Sequence, residues 1–236
     1  MPDRRAVILA GGLGTRLRAV VAEVPKPLAP AAGKPFLDWV VRHLAKNGVR
    51  KAVLANGYKS EAVAKWADAS ATADLRLECR SESSPLGTAG AFLHAVEGQR
   101  PGAPWLLCNG DTLVLADYTK LYKALEGNDA AVLGVRMEDA SRYGRLEEKN
   151  GLLTGFIEKK PGAGLINAGV WLFSEGLLPR FPKKRPLSLE AEVVPGWLKE
   201  GVKIAVVAVD APFIDIGIEE TYAKAGDFVK AHPEAF

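Results

Sequence analysis

The sequence predicts an α/β fold built on a central, mixed but mainly parallel sheet flanked by helices. Three observations carry that reading. Short apolar runs alternate with amphipathic stretches through the first half, the pattern of strand–helix–strand units. The first apolar run ends directly in Gly11-Gly12-Leu13-Gly14, a turn at the end of a strand. In the second half, Asn150-Gly151 separates two strand-like runs, a hairpin signal that brings antiparallel pairing into the sheet.

Residues 5–9 form an apolar run cut off by glycine, short enough for a buried strand. Between residues 35 and 46, Leu37, Val40, Val41 and Leu44 recur at helical spacing, with Asp38, Arg42 and Lys46 opposite. Pro35 suits the first turn of that helix and Gly48 its end. Residues 51–55 then read as a strand, 61–66 as a helix, 75–79 as a strand, 89–96 as a helix and 105–108 as a fourth strand. Beyond them, 130–135 is a strand, 145–148 and 152–157 are the arms of the hairpin, and 166–173 is a further strand. Residues 189–198 read as a helix that Pro195 breaks early. Strands at 203–209 and 213–216 and a helix at 219–229 complete the order. No repeat, low-complexity tract or linker divides the chain, which reads as one domain over residues 1–236.

At 236 residues the chain can bury a full core, and its 48% hydrophobic and 25% charged residues match a globular protein. The net charge of +3 is too small and too dispersed for a nucleic-acid partner. Lys183-Lys184-Arg185, between Pro182 and Pro186, reads as a solvated loop, with an anion site as the alternative. Met1-Pro2-Asp3-Arg4-Arg5 leads straight into the first strand, and no stretch approaches about 18 apolar residues. No membrane contact and a cytoplasmic location are therefore expected. Cys79 and Cys108 fall in strands without metal-ligand spacing and read as reduced, buried thiols.

Ala10-Gly11-Gly12-Leu13-Gly14-Thr15-Arg16 can bring several backbone N–H groups against one anion, and Arg16 and Lys26 add positive charge. A dinucleotide fingerprint fails because Leu17 stands where a small residue is needed, and a Walker loop fails for want of Gly-Lys-Ser/Thr. A nicotinamide-dependent enzyme is disfavoured accordingly. Asn109-Gly110-Asp111 sits at the carboxyl end of the fourth strand, where open α/β sheets bind ligands, and Asp215 follows a later strand.

Gly11-Gly12-Leu13-Gly14-Thr15-Arg16-Leu17 followed by Pro25-Lys26-Pro27 resembles the signature of the sugar-1-phosphate nucleotidyltransferases. The resemblance continues in family order through Pro85-Leu86-Gly87-Thr88-Ala89-Gly90, Asn109-Gly110-Asp111-Thr112, Glu158-Lys159, Asn167-Ala168-Gly169 and Asp215-Ile216-Gly217. It implies a Rossmann-like, GT-A-like nucleotidyltransferase fold, with a nucleotide-binding half to about residue 128 and a sugar-phosphate half from about 129.

The resemblance also implies roles. Arg16 and Lys26 would be catalytic, and Leu9, Ala10, Gly11, Gly12, Gly14, Thr15, Pro85, Gly87, Thr88, Asn109 and Gly110 would cradle the nucleotide. Glu82 falls in the base-reading segment, where a carboxylate can accept from guanine N1–H and N2–H₂; a solvated loop residue is the rival reading. Tyr143, Gly144, Glu158, Lys159 and Asn167 would bind the sugar phosphate, although Lys160 leaves open which lysine acts. Asp111 and Asp215 would hold Mg²⁺. The expected partners are GTP and a sugar 1-phosphate, with self-association into a homo-oligomer left open. Within the family, Pro25-Lys26-Pro27-Leu28-Ala29-Pro30, Ser141-Arg142-Tyr143-Gly144 and Phe213-Ile214-Asp215-Ile216-Gly217 resemble the D-glycero-D-manno-heptose 1-phosphate guanylyltransferases. Mannose-1-phosphate guanylyltransferase and N-acetylmuramate 1-phosphate uridylyltransferase are the rivals, and a catalytically silent nucleotide-sugar-binding regulator is the alternative of another class. The chain departs from the family at Ala19-Val20-Val21, and at Glu192, where relatives carry aspartate.

Overall fold

In the computed structural model, residues 4–12, 14, 17, 21, 23–72, 75–157 and 161–236 are described. In the first half, β1 (Arg4–Leu9) leads through a short ribbon of β2 (Pro30–Ala31) and β3 (Lys34–Pro35) to α1 (Phe36–Lys46). There follow β4 (Val49–Asn56), α2 (Ser60–Ser70), β5 (Arg76–Ser81), α3 (Thr88–Val96), β6 (Trp105–Asn109), β7 (Thr112–Val114) and α4 (Thr119–Ala124). The second half contains β8 (Ala130–Met137), the hairpin β9 (Arg145–Lys149) and β10 (Leu152–Ile157), and β11 (Gly164–Phe173). It closes with α5 (Val194–Lys199), β12 (Ile204–Val209), β13 (Phe213–Asp215) and α6 (Glu219–Ala231).

Nine strands form one sheet in the order β5-β4-β1-β6-β11-β8-β12-β10-β9. Strands β5, β4, β1 and β6 are parallel, as the strand–helix alternation requires. Strand β11 enters antiparallel between β6 and β8, so the sheet is mixed where the two halves meet. Every central strand is buried on both faces with a period of two. Ala6 and Ile8 join one core while Val7 joins the other, and Leu106 and Cys108 oppose Trp105 and Leu107. Helices α1, α2, α4 and α6 cover the first face, α3 and α5 the second.

The expected strands and helices are present, with three corrections. The third strand runs Arg76–Ser81, not 75–79. Residues 189–198 are not one helix broken by Pro195. They form a π-helical turn, Leu189–Val193, running into α5, with Pro195 in the first turn of α5. The ribbon β2–β3, the strand β7 and the short α4 had no sequence signal, being too short for any periodicity to register. β7 proves important, because it pairs antiparallel with β13 apart from the main sheet.

Candidate active site

A cleft opens at the carboxyl ends of the parallel strands, where Leu9, Ala55 and Asn109 end β1, β4 and β6 or lie beside those ends. One pocket of about 380 Å³ is floored by Leu9, Gly11, Gly12 and Ala55 and walled by Glu82, Pro85, Gly87, Thr88 and Ala91. A second, of about 740 Å³, is lined by Ser141, Arg142, Tyr143, Gly144, Asn167, Glu190, Phe213 and Asp215, among others. Lys26, Asn109 and Asp111 line both, so the two pockets meet at one cation, one amide and one carboxylate.

The wall of the first pocket is made by long-range backbone pairing. Leu187 donates its N–H to the Leu86 carbonyl at 2.8 Å, and its own carbonyl accepts from Ala89 and Gly90 at 3.0 and 3.2 Å. The segment before α3 is thereby clasped by a segment about a hundred residues later in the chain. Glu82 packs into this wall. Its Oε2 accepts the Leu86 N–H at 3.1 Å, while a Cβ at Gly11 would lie 2.6 Å from its Oε1. Glycine at residue 11 is what lets the carboxylate reach the pocket floor.

Asp111 and Asp215, 104 residues apart in sequence, are held as neighbours by the β7–β13 ribbon. Asp215 pairs with Thr112, and the Ile216 N–H donates to the Asp111 carbonyl at 3.0 Å. The Asp111 carboxylate forms an ion pair with Lys26 and accepts from the Thr112 hydroxyl at 3.2 Å. The Asp215 carboxylate accepts the Gly217 N–H at 2.8 Å, the Tyr143 hydroxyl, and the Arg142 guanidinium at 3.4 Å. Burial, reinforced by the hydrogen bond to Asp215, pushes the Tyr143 phenol above its usual range, so it stays a neutral donor. Among the described residues, no cluster of three or more His, Cys, Asp and Glu side chains is placed to hold a metal ion. Two carboxylates without nitrogen or sulfur ligands form a hard oxygen pair of the kind Mg²⁺ takes when substrate phosphates complete its shell.

Most residues expected from sequence come together here. Leu9, Gly11, Gly12, Glu82, Pro85, Gly87, Thr88 and Asn109 line the first pocket, and Tyr143, Gly144, Asn167 and Asp215 the second. Ala10, Gly14 and Gly110 line neither and act behind the surface. The Ala10 N–H anchors to the Ala55 carbonyl at 2.8 Å, and the Gly110 N–H to Leu9 at 2.9 Å. Gly14, at φ +58°, backs onto the Lys26 side chain. Thr15, Arg16, Glu158, Lys159 and Lys160 lie outside the described residues, as do Ala19 and Val20. His43, His94 and His232 line neither pocket.

Sequence reasoning missed Thr112, Arg142, Phe213 and Glu190 as lining residues. It weighed Glu192 instead, which faces away, pairing with Lys184 and accepting the Ser188 N–H at 2.9 Å. Two glutamates two positions apart carry no signal of which one enters the cleft; the π turn decides it. The Lys183-Lys184-Arg185 run is a loop satisfied locally, with Arg185 donating to the Pro182 and Lys184 carbonyls.

Residues 5–232 match the model of the nucleotidyl transferase family, and the chain belongs to that family. It is 32% identical over 220 residues to a D-glycero-alpha-D-manno-heptose 1-phosphate guanylyltransferase from Campylobacter jejuni, covering 92% of this chain and 96% of the relative. It is 34% identical to a mannose-1-phosphate guanylyltransferase from Mycobacterium tuberculosis, covering 95% of this chain and 64% of that protein. Among solved structures it is similar to HddC from Yersinia pseudotuberculosis, at a TM-score of 0.85, 32% identity, and 95% and 98% coverage. That protein has also been solved in complex with GMP-PN.

Proposed function

We propose that this protein transfers GMP from GTP to a sugar 1-phosphate, D-glycero-D-manno-heptose 1-phosphate in preference, forming a nucleotide-sugar and pyrophosphate. The observation that carries the reading is the meeting of two pockets at Lys26, Asn109 and Asp111, which is what joining two phosphorylated substrates demands. The heptose relative, matched along nearly its whole length, supports the sugar, and the nucleotide held by the HddC relative supports the guanine.

A sugar phosphate is largely dianionic near neutral pH, its second pKa being about 6, so its oxygen attacks the α-phosphorus without a general base. This suits a cleft that no histidine lines. The first pocket holds the base against Gly87 and Pro85, with Glu82 Oε1 turned to the guanine edge while Oε2 holds the loop. Lys26 sits at the junction and neutralises phosphate charge as pyrophosphate leaves, and Arg16 acts with it by its place in the phosphate loop. Tyr143, Gly144 and Asn167 orient the sugar, and Glu158 and Lys159 join them by family resemblance. Asp111 and Asp215 would hold Mg²⁺, whose chemistry when bound is to neutralise phosphate oxygens. No helix among the described residues is long and apolar enough to cross a membrane, and highly charged substrates of this kind suit the cytoplasm.

The test is pyrophosphate release with the five common nucleoside triphosphates, each offered heptose, mannose, glucose and N-acetylmuramate 1-phosphates with Mg²⁺. Turnover confined to GTP with heptose 1-phosphate is expected. Preference for mannose 1-phosphate, the reading the 34% identical relative favours, would replace the sugar. Release with UTP or dTTP alone would remove the guanylyl assignment.

A further inference from the structure

We infer that Glu190 is a specificity-determining residue that binds hydroxyl groups of the sugar in the second pocket. The inference rests on the nucleotidyl-transfer reading above and adds a residue to it. Glu190 is half-buried and lines the second pocket but not the first. Its Oε2 accepts the Thr88 hydroxyl at 3.0 Å, and that hydroxyl oxygen in turn accepts the Leu189 N–H at 2.8 Å. The Thr88 proton is thereby committed to Glu190, and the carboxylate is pinned in place.

Among the described residues, the two other carboxylates of this pocket and the Asn167 amide oxygen are already engaged. Asp111 is held by Lys26 and Thr112; Asp215 by Gly217, Tyr143 and Arg142; the Asn167 side-chain oxygen by the Gly169 N–H at 3.0 Å. Among the described residues no lysine or arginine pairs with Glu190, and no protein donor is recorded on its Oε1. A carboxylate with one committed and one uncommitted oxygen is an acceptor awaiting a donor. A phosphate would be repelled, whereas a polyhydroxyl ring supplies O–H donors. The charges thus fix the direction of binding, with the phosphate toward Lys26 and Arg142 and the ring hydroxyls toward Glu190. Because Thr88 also lines the nucleotide pocket, one hydroxyl ties the sugar-facing carboxylate to the nucleotide wall.

The experiment compares wild type and Glu190→Gln in pyrophosphate release, using the sugar 1-phosphate the wild type turns over best and analogues of it that each lack one ring hydroxyl. The glutamine oxygen keeps the bond from Thr88 but removes the charge. The KM for the sugar 1-phosphate should rise about 10- to 100-fold, the span of one hydrogen bond to a charged group. The KM for GTP should stay within about twofold if the Thr88 bond survives in the glutamine variant. The wild type should discriminate against one deoxy analogue, and the variant should lose that discrimination. An unchanged sugar KM, or equal rises for both substrates, in an active protein would overturn this inference alone. A wild type that releases no pyrophosphate with any substrate pair would overturn the nucleotidyl-transfer reading together with it.

Discussion

Gly87 is where a single added methyl group should disrupt the first pocket. Its φ is +76°, and a Cβ built there would lie 2.5, 2.8 and 2.9 Å from the carbonyl oxygen, carbonyl carbon and amide nitrogen of Leu187. All three are backbone atoms, so no side chain can rotate out of the way. The Leu187 backbone is also pinned by its bonds to Leu86, Ala89 and Gly90. For Gly87→Ala, the backbone at φ +76° and ψ 166° lies in an essentially glycine-only region and costs about 1–3 kcal/mol. Forcing a methyl into a filled backbone contact costs about 1–3 kcal/mol more. In a 236-residue chain that should lower the melting temperature by roughly 5–15 °C. Relief of the overlap must move residues 86–88 off residues 187–189, so the KM for GTP should rise as well. Gly98→Ala is the control for a positive φ without crowding: φ is +71°, yet nothing lies within 4 Å of the added Cβ, so only a conformational cost applies. Calorimetric melts of both variants, followed by steady-state kinetics against GTP, make the comparison. If Gly87→Ala melted no lower than Gly98→Ala and kept the wild-type KM, the clasp would not be holding the pocket.

Two further outcomes follow from the site and its surroundings. Lys26→Ala should lower kcat by about 10²- to 10³-fold, the usual loss for a group that stabilises developing charge. Its ion pair with Asp111 is part-buried but lines the open cleft, where water can reach the freed carboxylate, so the fold should survive the change; near-wild-type turnover would remove Lys26 from the mechanism. The second concerns His43, buried in α1, where its ring meets the Ala235 carbonyl at 3.0 Å and the Asn47 amide at 3.2 Å. Burial holds its pKa below the ordinary 6.5, with the charge of Lys46 acting in the same direction. Between the folded and unfolded values the unfolded chain binds the extra proton, so stability rises with pH there and is lost as pH falls below about 6.5. Urea melts of wild type and His43→Gln from pH 7.5 to 5 should show that dependence in the first and its loss in the second; parallel curves would contradict it.

The sequence was most legible where a local rule sufficed. Strands β1, β4 and β6 and helix α1 declare themselves by period and punctuation, because burial on two faces and on one face leaves different spacings. The ordered motifs likewise marked Lys26, Asp111, Tyr143 and Asp215, all of which reach one cleft. Elements of two or three residues such as β7 and β13 left too little pattern to read together, and their pairing sets Asp215 beside Thr112. The same limit applied to residues 189–193. Their composition suits a helix of any kind, and only packing against α3 and the bond between Thr88 and Glu190 turns Glu190 inward while Glu192 faces out.

By itself, then, the sequence determined the α/β layering, the glycine-rich segment's place after the first strand and the family, since each depends on residues close together or on motifs in order. The tertiary structure alone decided which carboxylates are brought together, which glutamate enters the second pocket, and how residues 86–90 are clasped by residue 187. Those outcomes rest on contacts between segments 100 or so residues apart, and such contacts are set by how whole elements pack, which no local spacing encodes.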